Sequence, residues 1–315
     1  MTLYTANRAC ALIYQIVKSN KKGTYLIPAN ICPTVPLTIG LAGCDLEFID
    51  INSKSLCIDE ETCLSKLISD KEKYVGIIFV RTYGYIYDTS SFFKKLHNYK
   101  ADLIIIDDRC LCLPSIEDNF NEADFIIYST GYGKQVNLGF GGYCKSKQKL
   151  ILNESESLKY EGLNIETYYK EIFNSGNTIK DFPVGWLSLD DINISKDSYF
   201  KQINDYRIKI VKHKFKINSI YNQELKSVNR LHSDFQNWRY NILVSKDEKE
   251  VILTELFNNK CFASSHYSPV NKLFNQEYFN VTSDISNKII NLFNDYYYTE
   301  EKAWLTTQII NKILK

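Results

Sequence analysis

The sequence predicts an α/β fold: a mostly parallel sheet flanked by helices, followed by a smaller α+β domain. Three observations lead there. Short apolar runs at 24–27, 46–50, 75–80, 103–107 and 125–129 alternate with helical segments, the pattern of parallel strands buried on both faces and joined by crossover helices. Asp108 and Ser129 fall at the carboxyl ends of two of these runs, where ligands of such sheets collect. Beyond about residue 196 the alternation gives way to a long polar helix and a new arrangement of strands and helices.

Taken in order, residues 6–19 carry an amphipathic helical pattern with Asn7 as candidate N-cap. Gly23 opens a strand at 24–27 that Pro28 stops, and a helix is predicted from Pro33 to Ala42, ended by Gly43. Charged helical segments at 59–69 and 89–99 separate the later strands. Residues 145–195 are less regular, with a turn at Phe182-Pro183-Val184-Gly185. The pattern then predicts a helix at 196–220, a strand at 240–244, a helix at 248–258, a strand near 261–263, and helices at 283–294 and 299–314. Two domains are expected, 1–195 and 196–315.

A chain of 315 residues can bury a sizeable core. Its 38 Lys and Arg balance 37 Asp and Glu, so no basic excess supports binding to nucleic acid or a membrane surface. No run approaches the roughly 20 apolar residues needed to cross a bilayer, and the N-terminus lacks the basic and apolar order of a secretion signal. Nine cysteines lie scattered without CxxC or zinc spacing, which points to reduced thiols in a cytoplasmic protein. Four scattered histidines form no metal set, and no Ser/His/Asp or Cys/His spacing supports a hydrolase.

The chemistry concentrates between Leu103 and Cys144. Asp107-Asp108-Arg109 ends one strand, and Ser129-Thr130-Gly131-Tyr132-Gly133-Lys134 ends the next, followed by Gly139-Phe140-Gly141-Gly142. A carboxylate, a hydroxyl and an amine placed together are the groups that pyridoxal 5'-phosphate chemistry needs. Each has a plainer reading: Asp108 as a cap of the helix following its strand, Ser129 as a turn residue, Lys134 as a solvated loop lysine. Tyr296-Tyr297-Tyr298 reads as packing or capping of the last helix, and Glu60, Glu61, Asp190 and Asp191 as solvated faces.

Further stretches occur in a recognisable order: Pro28-Ala29-Asn30-Ile31-Cys32-Pro33-Thr34-Val35, the run from Leu41 to Ile51, Tyr83-Gly84, and His266-Tyr267-Ser268-Pro269. Together with the strand-end motifs, this order resembles the DegT/DnrJ/EryC1/StrS family of sugar aminotransferases, which are fold type I pyridoxal-phosphate enzymes. The resemblance implies that Lys134 forms the covalent link to the cofactor and shuttles the substrate proton, which calls for a lowered lysine pKa. It implies that Asp108 pairs with the pyridine nitrogen and that Ser129 binds the phosphate. Asn7, Arg8 and Ala9 would add backbone N–H donors at a helix N-terminus. Cys32 and Leu111 would stand beside the cofactor, and His266 and Tyr267 on the substrate side. The implied reaction transfers an amino group, from glutamate, to a nucleotide-linked keto-sugar in surface-polysaccharide or natural-product synthesis. The implied assembly is a homodimer with the active site at its interface.

Several positions depart from the family pattern. Asn7-Arg8 stands where Gly-Thr or Gly-Arg is usual, and the chain begins almost at that turn. Arg109 replaces an alanine, Leu111 a glutamine or histidine, and Cys32 a residue that stacks on the cofactor ring. The region expected to hold an Asn-x-Arg segment reads Asn174 to Asp181 and is diverged. Lys134 argues against the dehydratase branch, where histidine replaces the lysine. Two rival readings stand beside the transferase: a non-catalytic assembly subunit, and a different pyridoxal-phosphate reaction such as elimination.

Overall fold

β-branched and aromatic runs punctuated by Gly, Pro and Asp build the central sheet. The computed structural model describes residues 2–117, 122–150, 158–274 and 278–315. In chain order these form β1 (Thr2–Ala6), α1 (Ala9–Ser19), β2 (Thr24–Pro28), α2 (Thr34–Leu41), β3 (Asp45–Ile49), α3 (Glu60–Ser69), β4 (Tyr74–Val80), α4 (Ser90–Tyr99), β5 (Ile104–Asp108), β6 (Phe125–Ser129), β7 (Gly142–Ser146) and α5 (Ile165–Ser175). There follow α6 (Lys196–Glu224), β8 (Tyr240–Leu243), α7 (Lys246–Asn258), β9 (Ala263–Ser264), α8 (Asn280–Lys288), β10 (Ile289–Leu292) and α9 (Glu300–Ile313).

The first seven strands form one sheet in the order β1-β7-β6-β5-β4-β2-β3. The pairs from β6 through β3 are parallel, and β7 runs antiparallel to both of its neighbours. Strands β2, β4, β5 and β6 are buried at every position, as a sheet covered on both faces requires. Alternation sorts their side chains. Ile104 and Ile106 join α1 and α2 in one core, while Ile105 joins Cys63, Leu67, Phe92, Phe93 and Leu96 of α3 and α4 in the other.

The N-terminus differs from the expected helix 6–19. Residues 2–6 form a strand, and the helix begins at Ala9 with Arg8, not Asn7, at its N-cap position and no side-chain cap. β7 also went unforeseen: its Gly142-Tyr143-Cys144-Lys145-Ser146 sequence has neither alternation nor an apolar run, yet all five residues are buried. Gly142 is required by close approach, since a Cβ there would lie 2.8 Å from the Ala9 backbone. α5 falls in the stretch read as irregular, with Asn164 capping its start and Gly176 in the left-handed conformation at its end.

β8, β10 and β9 make a second, antiparallel sheet in that order. The predicted helix 283–294 is instead α8 followed directly by β10. The backbone turns extended at Ile289, and Ile289-Ile290-Asn291-Leu292 is buried throughout. An apolar run abutting a helical pattern carries no period that marks the switch. α6 serves both sheets, placing Tyr199, Ile203 and Ile210 in the core of the large one and Ile217, Ile220 and Tyr221 in that of the small one. Asp50, just past β3, ties them further. Its carboxylate accepts the N–H of Val281 and Thr282, both at 2.9 Å, and the Thr282 hydroxyl at 2.7 Å, capping α8, which has no side-chain cap of its own.

Candidate active site

Asp107 and Asp108 close β5, and the period of two sends them to opposite faces of the sheet. Asp107, wholly buried, accepts Arg81 Nε at 2.8 Å and Nη2 at 3.0 Å, with Arg109 Nε at 2.9 Å and Nη2 at 2.8 Å. Burial would raise its pKa, but Arg81 and Arg109 overcome this and hold it below the usual carboxylate range. Arg109, the departure from the family's alanine, is thus half of a buried clamp on Asp107.

Asp108 lies on the other side and has no such clamp. Its Oδ1 accepts the Cys110 N–H at 2.9 Å in a side-chain turn, and among the described residues no helix follows β5 before β6 for it to cap. Among the described residues no cation stands within ion-pair distance of it. Burial pushes its carboxyl pKa up, opposed by Cys110 and by Lys134. Ser129 ends β6, adjacent and parallel to β5, and its Oγ accepts the Gly131 N–H at 3.3 Å.

Lys134 stands half-buried close enough to Asp108 for each to alter the other's proton affinity. The expected lowering of its pKa is not what the protein's own groups produce. Burial lowers it, but Cys110, Cys32, Asp108 and Cys10 outweigh burial, and the net shift is upward. Burial also raises the thiol pKa values of Cys10 and Cys110. The cluster of thiols was not foreseen. Cys32 Sγ lies 3.1 Å and Cys10 Sγ 3.4 Å from the hydroxyl of Thr34, which α2 carries up to the start of α1.

At the first helix Asn7 corrects the sequence reading. Its N–H donates to Asp190 C=O at 2.8 Å and its C=O accepts Gly141 N–H at 2.7 Å, so it is not a free donor. Arg8 and Ala9, at the start of α1, retain N–H groups with no backbone acceptor among the described residues. Leu111 turns its side chain into a buried apolar cluster with Tyr83, Phe235, Trp238 and Ile289, while its carbonyl accepts Gln135 Nε2 at 2.9 Å.

His266 and Tyr267 reach the same place from the far end of the chain. Burial, Arg239 and Lys134 push the His266 imidazole down to about 4, so it is neutral near pH 7. Burial, with Cys32 and Asp108 nearby, raises the Tyr267 phenol. Sequence reasoning missed three residues here. Tyr83 donates its hydroxyl to His266 C=O, Trp238 donates Nε1 to Gly133 C=O at 2.7 Å, and Tyr169 of α5 packs toward Cys32. Tyr83 lay in a quoted motif; no local signal marks Trp238 or Tyr169.

The fold, with an acid ending β5 and a lysine beyond β6, defines a class: the fold type I aminotransferases. The sequence matches the DegT/DnrJ/EryC1/StrS aminotransferase family over residues 2–304, and the chain belongs to that family. No curated protein matches it by sequence. Among solved structures it resembles a protein from Bacillus cereus ATCC 10987 assigned as a PLP-dependent aminotransferase, 18% identical with a TM-score of 0.71, over 98% of this chain and 86% of that one. It also resembles Helicobacter pylori PseC, an aminotransferase involved in the biosynthesis of pseudoaminic acid (17% identity, TM-score 0.69, 99% and 86% covered). A third is Bacillus subtilis NtdA with bound cofactor PMP (16% identity, TM-score 0.70, 100% and 74% covered). The groups present fit pyridoxal 5'-phosphate chemically: a buried carboxylate without a cation partner, an amine, and a hydroxyl beside free helix N–H donors. Among the described residues no helix is long and apolar enough to cross a membrane.

Proposed function

We propose that this protein uses pyridoxal 5'-phosphate to move an amino group from glutamate to a keto-sugar carried on a nucleotide. The observation that carries the reading is the buried Asp108 carboxylate at one strand end, in no ion pair among the described residues, with Ser129 ending the neighbouring parallel strand and Lys134 five residues beyond. When bound, the cofactor supplies an electron sink that makes a substrate C–H bond acidic. Asp108 would hold a proton at the pyridine nitrogen, a role for which the absence of an ion pair among the described residues leaves it free. Lys134 would bind the cofactor's aldehyde carbon and then carry the proton to and from the substrate carbon.

Ser129 and the N–H groups of Arg8 and Ala9 would hold the phosphate, aided by the dipole of α1. Cys32 would border the ring on the side that Tyr169 covers, with Leu111 behind Gln135. His266, neutral, and Tyr267, protonated, would offer hydrogen bonds to substrate hydroxyls without adding charge. Residues 1–195 would hold the cofactor and 196–315 form the smaller domain. The protein would work as a cytoplasmic homodimer with the site at its interface.

The test is direct. Purified protein is incubated with pyridoxal 5'-phosphate, reduced with borohydride and mapped by mass spectrometry; a second portion receives glutamate, then a panel of nucleotide-linked keto-sugars. Cofactor fixed on Lys134, converted to the pyridoxamine form by glutamate and then consumed by a keto-sugar, supports the reading, and Lys134→Ala should abolish all three steps. Cofactor uptake without response to glutamate removes that donor. No uptake removes the enzyme reading in favour of an assembly subunit.

A further inference from the structure

Lys134 is held from behind by Gln135, which donates to Leu111 C=O at 2.9 Å, and by the buried Val136, while the residues before it are more open. Gly133 adopts φ +71°, where a Cβ would find no neighbour within 4 Å, and Tyr132 beside it is 82% exposed. The backbone ties inside the loop are Lys134 N–H to Gly131 C=O at 3.3 Å and Leu138 N–H to Thr130 C=O at 2.8 Å. The peptide immediately before Lys134 is held from outside. Trp238, just before β8, donates its indole N–H to Gly133 C=O at 2.7 Å.

Trp238 is itself fixed on several sides. Tyr83 stacks against it with ring centres 6.2 Å apart and planes 12° from parallel, and His266 meets it edge-on at 5.5 Å. Lys214 of α6 donates to the Trp238 carbonyl at 2.7 Å and to Asn294 Oδ1 at 2.7 Å. Asn294 in turn donates to Asn218 of α6 at 2.9 Å. A buried indole N–H needs an acceptor, and here the acceptor is the carbonyl next to the reactive lysine. Phenylalanine in this place could stack on Tyr83 but could not donate.

We propose that Trp238 is a positioning residue: its indole N–H pins the Gly133 carbonyl and thereby sets where the Lys134 amine stands relative to Asp108. The anchor comes from the part of the chain that builds the small sheet, so that part and the lysine loop are mechanically joined. The proposal rests on the reading of Lys134 as the cofactor lysine, because small displacements of a reacting group carry large penalties.

The experiment compares wild type with Trp238→Phe and Trp238→Leu. Hydrogen exchange of residues 130–138 is followed in cofactor-free protein, and capture of added pyridoxal 5'-phosphate on Lys134 is timed by borohydride quench and peptide mapping. Trp238→Phe should unfold near the wild-type temperature while its loop amides exchange about tenfold faster and capture slows about tenfold, the size of one lost hydrogen bond. Trp238→Leu should show larger changes in both and a lower unfolding temperature. Unchanged exchange in Trp238→Phe overturns the anchor, and faster exchange with unchanged capture overturns the positioning role. If wild type captures no cofactor on Lys134 while exchange still responds to Trp238→Phe, the cofactor reading falls and the anchor stands.

Discussion

Asp107→Asn removes one negative charge from a place where it faces two buried guanidiniums. Arg81 and Asp107 are fully buried and Arg109 is 4% exposed. Arg81 would keep its bonds to Tyr87 C=O and Thr89 Oγ1, and Arg109 its bond to the Tyr128 hydroxyl. Both would lose the charge they share on Asp107. Each guanidinium touches the same carboxylate at 2.8 to 3.0 Å, so they stand roughly 6 Å apart. At an effective dielectric of about 20, their mutual repulsion is about 3 kcal/mol. Breaking a buried ion pair by removing one partner typically costs about 3–5 kcal/mol, a large share of the roughly 5–15 kcal/mol that stabilises a domain.

The assay is urea unfolding of wild type, Asp107→Asn and Asp108→Asn at neutral pH, with cofactor uptake measured in parallel. Asp107→Asn should lower the midpoint by the equivalent of about 3–5 kcal/mol. Asp108→Asn should hold or raise the midpoint, since burial raises the carboxyl pKa of Asp108 and the charge is therefore a liability to folding. It should nevertheless weaken cofactor binding and abolish turnover. The signs under acid differ likewise. Asp107, with a lowered folded pKa, contributes stability above its unfolded value near 4 that is lost as pH falls through the folded value. Asp108, with a raised one, costs stability above its folded value, a cost relieved as pH falls toward 4. An Asp107→Asn shift worth less than about 1 kcal/mol would show that the two arginines are discharged or solvated, contrary to the geometry.

Two further outcomes are expected. Asp50→Ala deprives α8 of three donors' acceptor and should cost about 1–3 kcal/mol, seen as a lower unfolding temperature and faster hydrogen exchange across 280–288; wild-type exchange there would mean another group caps the helix. His266 titrates from about 6.5 unfolded to about 4 folded, so it leaves stability intact above pH 6.5 and subtracts up to about 3 kcal/mol as pH falls from 6.5 to 4. His266→Gln should flatten that part of the stability–pH curve, and an unchanged slope would place the imidazole in solvent.

The contrast between Asp107 and Asp108 also shows what a sequence can reveal about such a site. Strands β2 to β6 were legible because Ile, Val and Phe runs bounded by Gly, Pro and Asp have few other uses. β1 and β7 were not, because their burial comes from pairing with each other and with β6, while Lys145 and Ser146 disguise it. The placement of Asp108 and Ser129 at strand ends, with Lys134 just beyond, was legible because a strand end and the turn beyond it are local in sequence. Asn7 was misread for the opposite reason: its N–H is taken by Asp190, 183 positions further along, which no local cap pattern reports. Trp238 and Tyr169 likewise enter through tertiary packing alone. Arg109 lies between these cases. It stands where the family has alanine, next to Asp108, yet the structure turns it onto Asp107. A residue next to Asp108 in the chain acts first on the opposite face of the sheet, so the test of Arg109 is stability and not substrate preference.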